Sequence, residues 1–336
     1  METVKQPLRR SALLSSLAAF GLGPLAAAAA WAQTDWPTKP VMLLVGFPPG
    51  GQTDFAGRVL LSGLQTVLGQ PVVIDNKAGV NGNLAAVDVL KAPPDGQKLL
   101  VGNGSMTITQ HVYTKLGMID PRQLTPIGVM LQSSLVLAVP ATSPIKTYAQ
   151  FVEDAKAKAK AGKGMDYGTG GAGSLVHVTM ELLRERMGGP AMNHVPYKGS
   201  SPAMIDLMAG RLDAMFDATS VVAPFIKDGK LRPILVTGEK REPLFPDVPT
   251  TTEAGIKDFV IISFIGLYGP PGLSAAIVSK ANAALNTALK DPAAIKGFVD
   301  RGDQPGGGTP EQLGALTRTH YQMWGAVVKA NNIQSD

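Results

Sequence analysis

From residue 41 onward, short apolar runs alternate with segments of helical period, and that alternation restricts the chain to α/β architectures. VMLLVGF (41–47) precedes a stretch in which Phe55, Val59, Leu60, Leu64, Val67 and Leu68 recur near every 3.6 residues, closed by Gly69. PVVID (71–75), KLLVGN (98–103), LVLAVP (135–140), MDYGT (165–169) and MNHVPYK (192–198) read as further strands. So do LDAMFD (212–217), RPILVTG (232–238) and FVIISFIGLYG (259–269). Helices are expected at 83–92, 147–161, 174–188, 202–210 and 220–229, and over most of the tail from Ser274. Strands this apolar have both faces covered, which predicts mostly parallel sheets flanked by helices. The chain is too long for one small core and suits two such units. Residues 33–136 with 232–336 are expected to form one lobe and 137–231 the other, the chain crossing near 130–140 and returning near 230–240.

The N-terminus reads as a signal segment. Lys5, Arg9 and Arg10 make a basic head, SALLSSLAAFGLGPLAAAAA a weakly apolar stretch, and Ala30-Trp31-Ala32 a small-x-small cleavage site, so 1–32 are set aside. Ser, Gly and Pro break that stretch, which argues against a permanent span. Arg9-Arg10 leaves the Sec and twin-arginine routes both open. The expected product is a periplasmic globule. It has no cysteine, so neither disulfides nor thiolate chemistry enter. Removing Glu2 and the three signal bases lowers the net charge from +5 to +3, with bases scattered among acids. No run resembles a nucleic-acid arm, and no nucleic-acid partner is expected.

Three Gly-rich loops follow strands and open helices: FPPGGQTD (47–54), GNGSMT (102–107) and GTGGAGS (168–174). Each aims backbone N–H groups at the C-terminal end of a strand, where an anion can sit. Spread over both halves, they predict one shared cleft. GTGGAG also fits G-x-G-x-x-G, but the next strand ends in Lys198 where a dinucleotide site wants an acid. An exported NADP-dependent or hydrolytic enzyme is thus the rival reading. Ser174 and His177 lie three apart without G-x-S-x-G or an orienting acid, so Ser174 is expected to cap a helix. Asp54 is likewise expected to be an N-cap and not a general acid. His111, His177, His194 and His320 lack metal-ligand spacing. Met180, Met187, Met204, Met208 and Met215 are expected to fill core. No nucleophile, base and acid assemble, and neither a catalytic residue nor a cofactor is expected.

The run WPTKPVMLLVGFPPGGQTDFAGRVLLSGLQTVLGQPVVIDNKAGVNGNLAA resembles the opening of the Bug-type periplasmic receptors of tripartite tricarboxylate transporters. YGTGGAGSLVHVTMELL, HVPYKGSSPAMIDLMAGRLDAMFD and LRPILVTGEKREPLFPDVPTTTEAG resemble that family's later blocks. The resemblance implies a two-lobed, type II periplasmic-binding fold that closes on a small carboxylate. It implies binding by Phe47, Pro49, Gly50, Gly51, Thr53 and Asp54 from one loop, and by Thr169, Gly170, Ala172, Gly173, Ser174 and His177 from the other lobe. Ser105, Met106, Thr107, Tyr197, Lys198, Gly199 and Asp217 are the implied cleft neighbours. Thr109-Gln110-His111 departs from an Asn-Pro pair common in the family, which bears on the far end of the pocket. The implied partners of this monomer are membrane transport components or a sensor protein. The ligand stays open among aliphatic di- and tricarboxylates, acidic amino acids, nicotinate-like acids and aromatic dicarboxylates.

Overall fold

Val41–Val45 (β1) shows why the chain builds layers. Leu43 and Val45 join one apolar cluster with Ala56, Leu60 and Leu64 of the helix Gln52–Leu68 (α1). Leu44, between them, joins a different cluster with Ala85, Ala86 and Val89. Both faces of the strand are therefore buried, as its unbroken apolar run requires. The computed structural model describes residues 35–115 and 117–334 of the chain, so the signal segment 1–32 lies outside the described residues.

The chain continues through β2 (Val72–Asn76), α2 (Asn83–Leu90), β3 (Lys98–Asn103), α3 (Met106–Val112) and β4 (Thr125–Pro140). Next come α4 (Tyr148–Lys160), β5 (Met165–Thr169), α5 (Leu175–Arg186), β6 (Met192–Pro196), α6 (Ser200–Met208) and β7 (Ala214–Ala218). The remainder is α7 (Thr219–Lys227), β8 (Leu231–Val236), β9 (Ile262–Gly269), α8 (Ala275–Ala288), α9 (Pro292–Val299), β10 (Gln304–Gly307) and α10 (Pro310–Ala330). The strand order is β2-β1-β3-β9-β4-β7-β5-β6, with β10 and β8 also paired to β4.

Two parallel triads, β1–β2–β3 and β5–β6–β7, match the βαβ spacing of the sequence. The strands that join them, β4, β8, β9 and β10, run antiparallel to their neighbours. β4 belongs to both sheets. It pairs with β9 as far as Ser134, then with β7 from Leu135 and β8 from Val136. This is the two-lobed α/β arrangement of type II periplasmic-binding proteins, with one strand passing through both lobes.

β4 begins at Thr125, ten residues before the strand read from sequence. Register shifts between Pro126 and Gly128 and between Val129 and Leu131 break the alternation that marks a strand. Helix α3 was also illegible: MTITQHV is rich in β-branched residues, and burial of Ile108 and Val112 overrides their weak helical preference. Met180, Met187, Met204 and Met215 are buried in the second sheet's core, as expected, and Met208 packs against it half-buried. Among the described residues no helix is long and apolar enough to cross a membrane.

The crossing is fastened by Thr237, which has no exposure. Its N–H donates to Leu135 O and its Oγ1 accepts from Leu135 N, both at 2.9 Å. The hydroxyl donates to Ile261 O at 2.5 Å, and Ile261 N returns a bond to Thr237 O. Replacing Thr237→Val strips the hydroxyl while conserving shape, leaving one buried donor and one acceptor unpaired. We expect unfolding free energy to drop by about 2–4 kcal/mol in a urea titration. Agreement with the parent to within about 0.5 kcal/mol would remove this clasp from the account.

Candidate functional site

The loop after β1 is shaped by backbone contacts. Gly46 lies so close to Gly82 that a Cβ would fall 2.3 Å from the Gly82 Cα, and Gly50 adopts φ +92°. Helix α1 then starts with Gly51 as its cap, and no side chain closes its N-terminus. Asp54 is therefore not the N-cap expected from sequence but the third residue inside the helix. It reaches back instead, accepting from Gly50 N at 3.0 Å, from Arg58 Nε at 2.9 Å and from Asn76 Nδ2 at 3.0 Å. Burial works against its charge, but these bonds prevail and hold its carboxyl below the usual range. Asp54 thus shapes the loop from behind, leaving the helix's leading N–H groups free to face the cleft.

Facing this jaw are the loops after β5 and β6. Gly171 and Gly173 take φ +144° and +69°, and Gly199 takes +105°. A Cβ on Gly199 would meet Pro48 Cδ at 3.0 Å, so the jaws meet backbone to ring. Three bonds reach the loop after β5 from the segments after β2 and β3. Ser105 Oγ accepts from Leu175 N at 3.2 Å, Tyr113 donates to Ala172 O at 3.0 Å, and Asn81 donates to the same carbonyl.

Between the jaws lies a cavity of about 70 Å³. Of the residues proposed from sequence, Phe47, Gly51, Thr53, Ser105, Gly170, Ser174, Gly199 and Asp217 line it. Tyr197, Lys198 and Ala172 line a neighbouring cavity of about 570 Å³, beyond Pro48 and Gly199. Pro49, Gly50, Asp54, Met106, Thr107, Thr169, Gly173 and His177 do not line the inner cavity. Met106 and Thr107 are buried, and Thr107 Oγ1 is spent on Gly104 O. Thr109, Gln110 and His111 lie on α3, and none lines the cleft. Sequence reasoning missed Gln52, Asn103, Leu135, Ser200, Ser201, Ala218 and Ser263. Gln52 and Ser200 were findable, because each directly follows a glycine that opens a helix, and Ser201 is the next residue of that same first turn.

Helices α1, α6 and α7 all begin at this cavity, capped by Gly51, Gly199 and Ala218 without a side-chain hydrogen bond. Their N-terminal fields favour an anion, and no cap side chain closes them, although the Ala218 N–H at the start of α7 already donates to Asp217 Oδ1 at 2.8 Å. No lysine, arginine or histidine lines the cavity among the described residues. Ser174 caps α5 as expected, its Oγ accepting from His177 N at 3.3 Å. His177 Nδ1 in turn accepts from Gly173 N at 3.0 Å, so these two side chains support the loop and form no dyad.

His177 stacks on His194 at 3.8 Å between centroids, with Tyr167 beside them, and His194 Nε2 lies 2.7 Å from Thr169 Oγ1. Burial pushes the two rings down to about 4 and about 3, Glu181 pulling His194 the other way. The unfolded chain, titrating near pH 6.5, thus takes up protons that the folded chain refuses. The stack's contribution is complete above pH 6.5 and is lost as the pH falls toward 4. Buried Asp217 and Asp303, held up to about 6, run oppositely and gain stability as they protonate. The double variant His177→Gln, His194→Gln should therefore lose less melting temperature than the parent between pH 7 and pH 5. Superimposable profiles would show that the stack does not titrate in this way.

Known proteins agree with this architecture. Residues 56–333 match the TctC family, described as the tripartite tricarboxylate transporter family receptor. Protein BugT of Bordetella pertussis is 32% identical over 297 residues, 88% of this chain and 90% of BugT. Rpa4515 of R. palustris, solved with adipate, superimposes with a TM-score of 0.83 at 31% identity, over 88% of this chain and 98% of that one. MatC of Rhodopseudomonas palustris, solved with bound malate, gives 0.81 at 29% identity, over 87% and 100%. The chain belongs to the TctC family of solute receptors.

Proposed function

We propose that this chain captures a small carboxylate between its lobes and delivers it from the periplasm to the membrane components of a tripartite tricarboxylate transporter. The observation that carries the proposal is the convergence of three helix N-termini, capped by Gly51, Gly199 and Ala218, on a cavity without a basic side chain. Free N–H donors and helix-terminus fields hold a carboxylate through charge-assisted hydrogen bonds. The adipate and malate in two structural neighbours support the same ligand chemistry. Phe47, Gly51, Thr53, Ser105, Gly170, Ser174, Gly199 and Asp217 are the ligand-binding set, with Gln52, Ser200, Ser201 and Ser263 added. The lobe boundaries fall near residues 136 and 232, and closure flexes the two strand crossings. No catalytic group takes part, and the receptor works as a monomer.

A thermal-shift screen against a carboxylate panel tests the ligand class. A ligand at about a hundred times its Kd stabilises the fold by about 2.7 kcal/mol, a rise of several degrees. Gly51→Val tests the loop. Its φ is negative and a Cβ there meets nothing closer than 4.0 Å, so the variant folds while its side chain screens the α1 donors. Parent-like stability without carboxylate stabilisation is expected; parent-like affinity would refute the loop's role. Uptake of the identified acid should fall in a strain lacking the receptor, whereas unchanged uptake would favour a sensor role.

A further inference from the structure

Asp217 is the one ionisable side chain lining the inner cavity among the described residues. It is the penultimate residue of β7, shares the cavity with Gly51, Gln52 and Thr53 of the α1 start, and is only 5% exposed. Its Oδ1 accepts from Ala218 N at 2.8 Å, and the Ser200 hydroxyl supports the charged form. Its Oδ2 is buried and has no hydrogen-bond partner. A carboxylate oxygen kept from water without a donor is unfavourable, and nothing else on the cavity wall supplies a cation. The wall is thus chemically two-ended. Uncapped helix N-termini offer donors for an anion, while Asp217 offers an acceptor that wants a proton.

Resting on the carboxylate reading above, we propose that Asp217 is a specificity-determining residue that selects acids carrying a proton donor beside the carboxylate. A protonated amine fits best, because it supplies both the missing hydrogen bond and the missing positive charge. A hydroxyl supplies the bond alone. A plain alkanedioate supplies neither, and a second carboxylate at this end meets like charge. The hydroxyls of Ser200 and Ser201 and the amides of Gln52 and Asn103 complete a wall suited to a compact, multiply hydrogen-bonding ligand. Burial raises Asp217 to about 6, consistent with a group whose charge is unsatisfied until such a ligand arrives.

The test uses matched acids differing only at the second carbon: succinate, malate and aspartate, and in parallel glutarate, 2-hydroxyglutarate and glutamate. Isothermal titration of the parent at pH 7.5 should rank amine above hydroxyl above unsubstituted acid within at least one set. The span should be about ten- to a hundredfold. In Asp217→Asn the amine preference should shrink by about tenfold or more, while affinity for the unsubstituted acid holds or rises. Asn keeps the shape and removes a buried charge, so its melting temperature should not fall. If the parent binds succinate or glutarate as tightly as its amino counterpart, the Asp217 proposal fails while the carboxylate reading stands. If Asp217→Asn keeps the parent's ranking, the proposal fails again. If no acid in the carboxylate panel binds the parent, both fail together.

Discussion

Everything in this receptor hangs on one strand that belongs to two sheets. β4 is apolar where it runs through each core, from Ile127 to Leu131 and from Leu135 to Val139, but carries Gln132, Ser133 and Ser134 between them. At that interruption packing gives way to hydrogen bonding. Ser134 donates to Glu242 and lies 3.2 Å from Thr219 Oγ1, while Thr237 ties Leu135 to Ile261. Hydrogen bonds tolerate small rotations that interlocked aliphatic side chains resist, which suits this seam to the closure proposed above. The β5, β6 and β7 loops and the β1 loop are thereby presented to each other as two firm jaws.

The jaws themselves are built from backbone, and the glycines explain how. Positive φ at Gly50 and Gly199 turns each loop so that the following helix starts at the cleft edge. Side chains do their work from behind: Asp54 with Arg58 and Asn76 under one loop, His177 and His194 under the other. A cleft assembled this way has strong preferences about where negative charge sits and few about what surrounds it. Ligand preference then rests on a few wall residues, of which Asp217 carries the only charge among the described residues.

Much of this was legible in the sequence because it is local. Strand-to-helix spacing, the three glycine loops and the Ser174 cap all follow from residues within a few positions of one another. Asp54 was misread for an instructive reason. Its type suits an N-cap, but Pro48 to Gly51 start the helix three residues earlier, and the acid then serves better by reaching back to Gly50. The first half of β4, the QPGG strand β10 and the His177–His194 stack escaped because each depends on residues far away in the chain. Ser263 and Leu135 reach the cavity only because two crossings meet there, and no short-range signal announces that.

The buried acids near the seam follow from the same design. Asp217, Asp303 and Glu242 are all raised by burial, and the hydrogen bonds that hold them come from neutral donors: Ala218 N for the first, the Gln52 amide for the second, the Ser134 hydroxyl for the third. Arg301 lowers Asp303 a little by its charge, and an arginine paired with Asp217 or Glu242 would likewise stabilise the fold at neutral pH. It would also bring a strong cation toward the cleft, where it would grip any carboxylate regardless of shape. Hydroxyls and amides give up that stability and keep discrimination. Gln52 shows the arrangement joined end to end. It lines the cavity, accepts from Ser263 Oγ at 2.8 Å and donates to Asp303 Oδ1 at 3.3 Å, so a ligand resting on Gln52 touches the bonding of the seam itself.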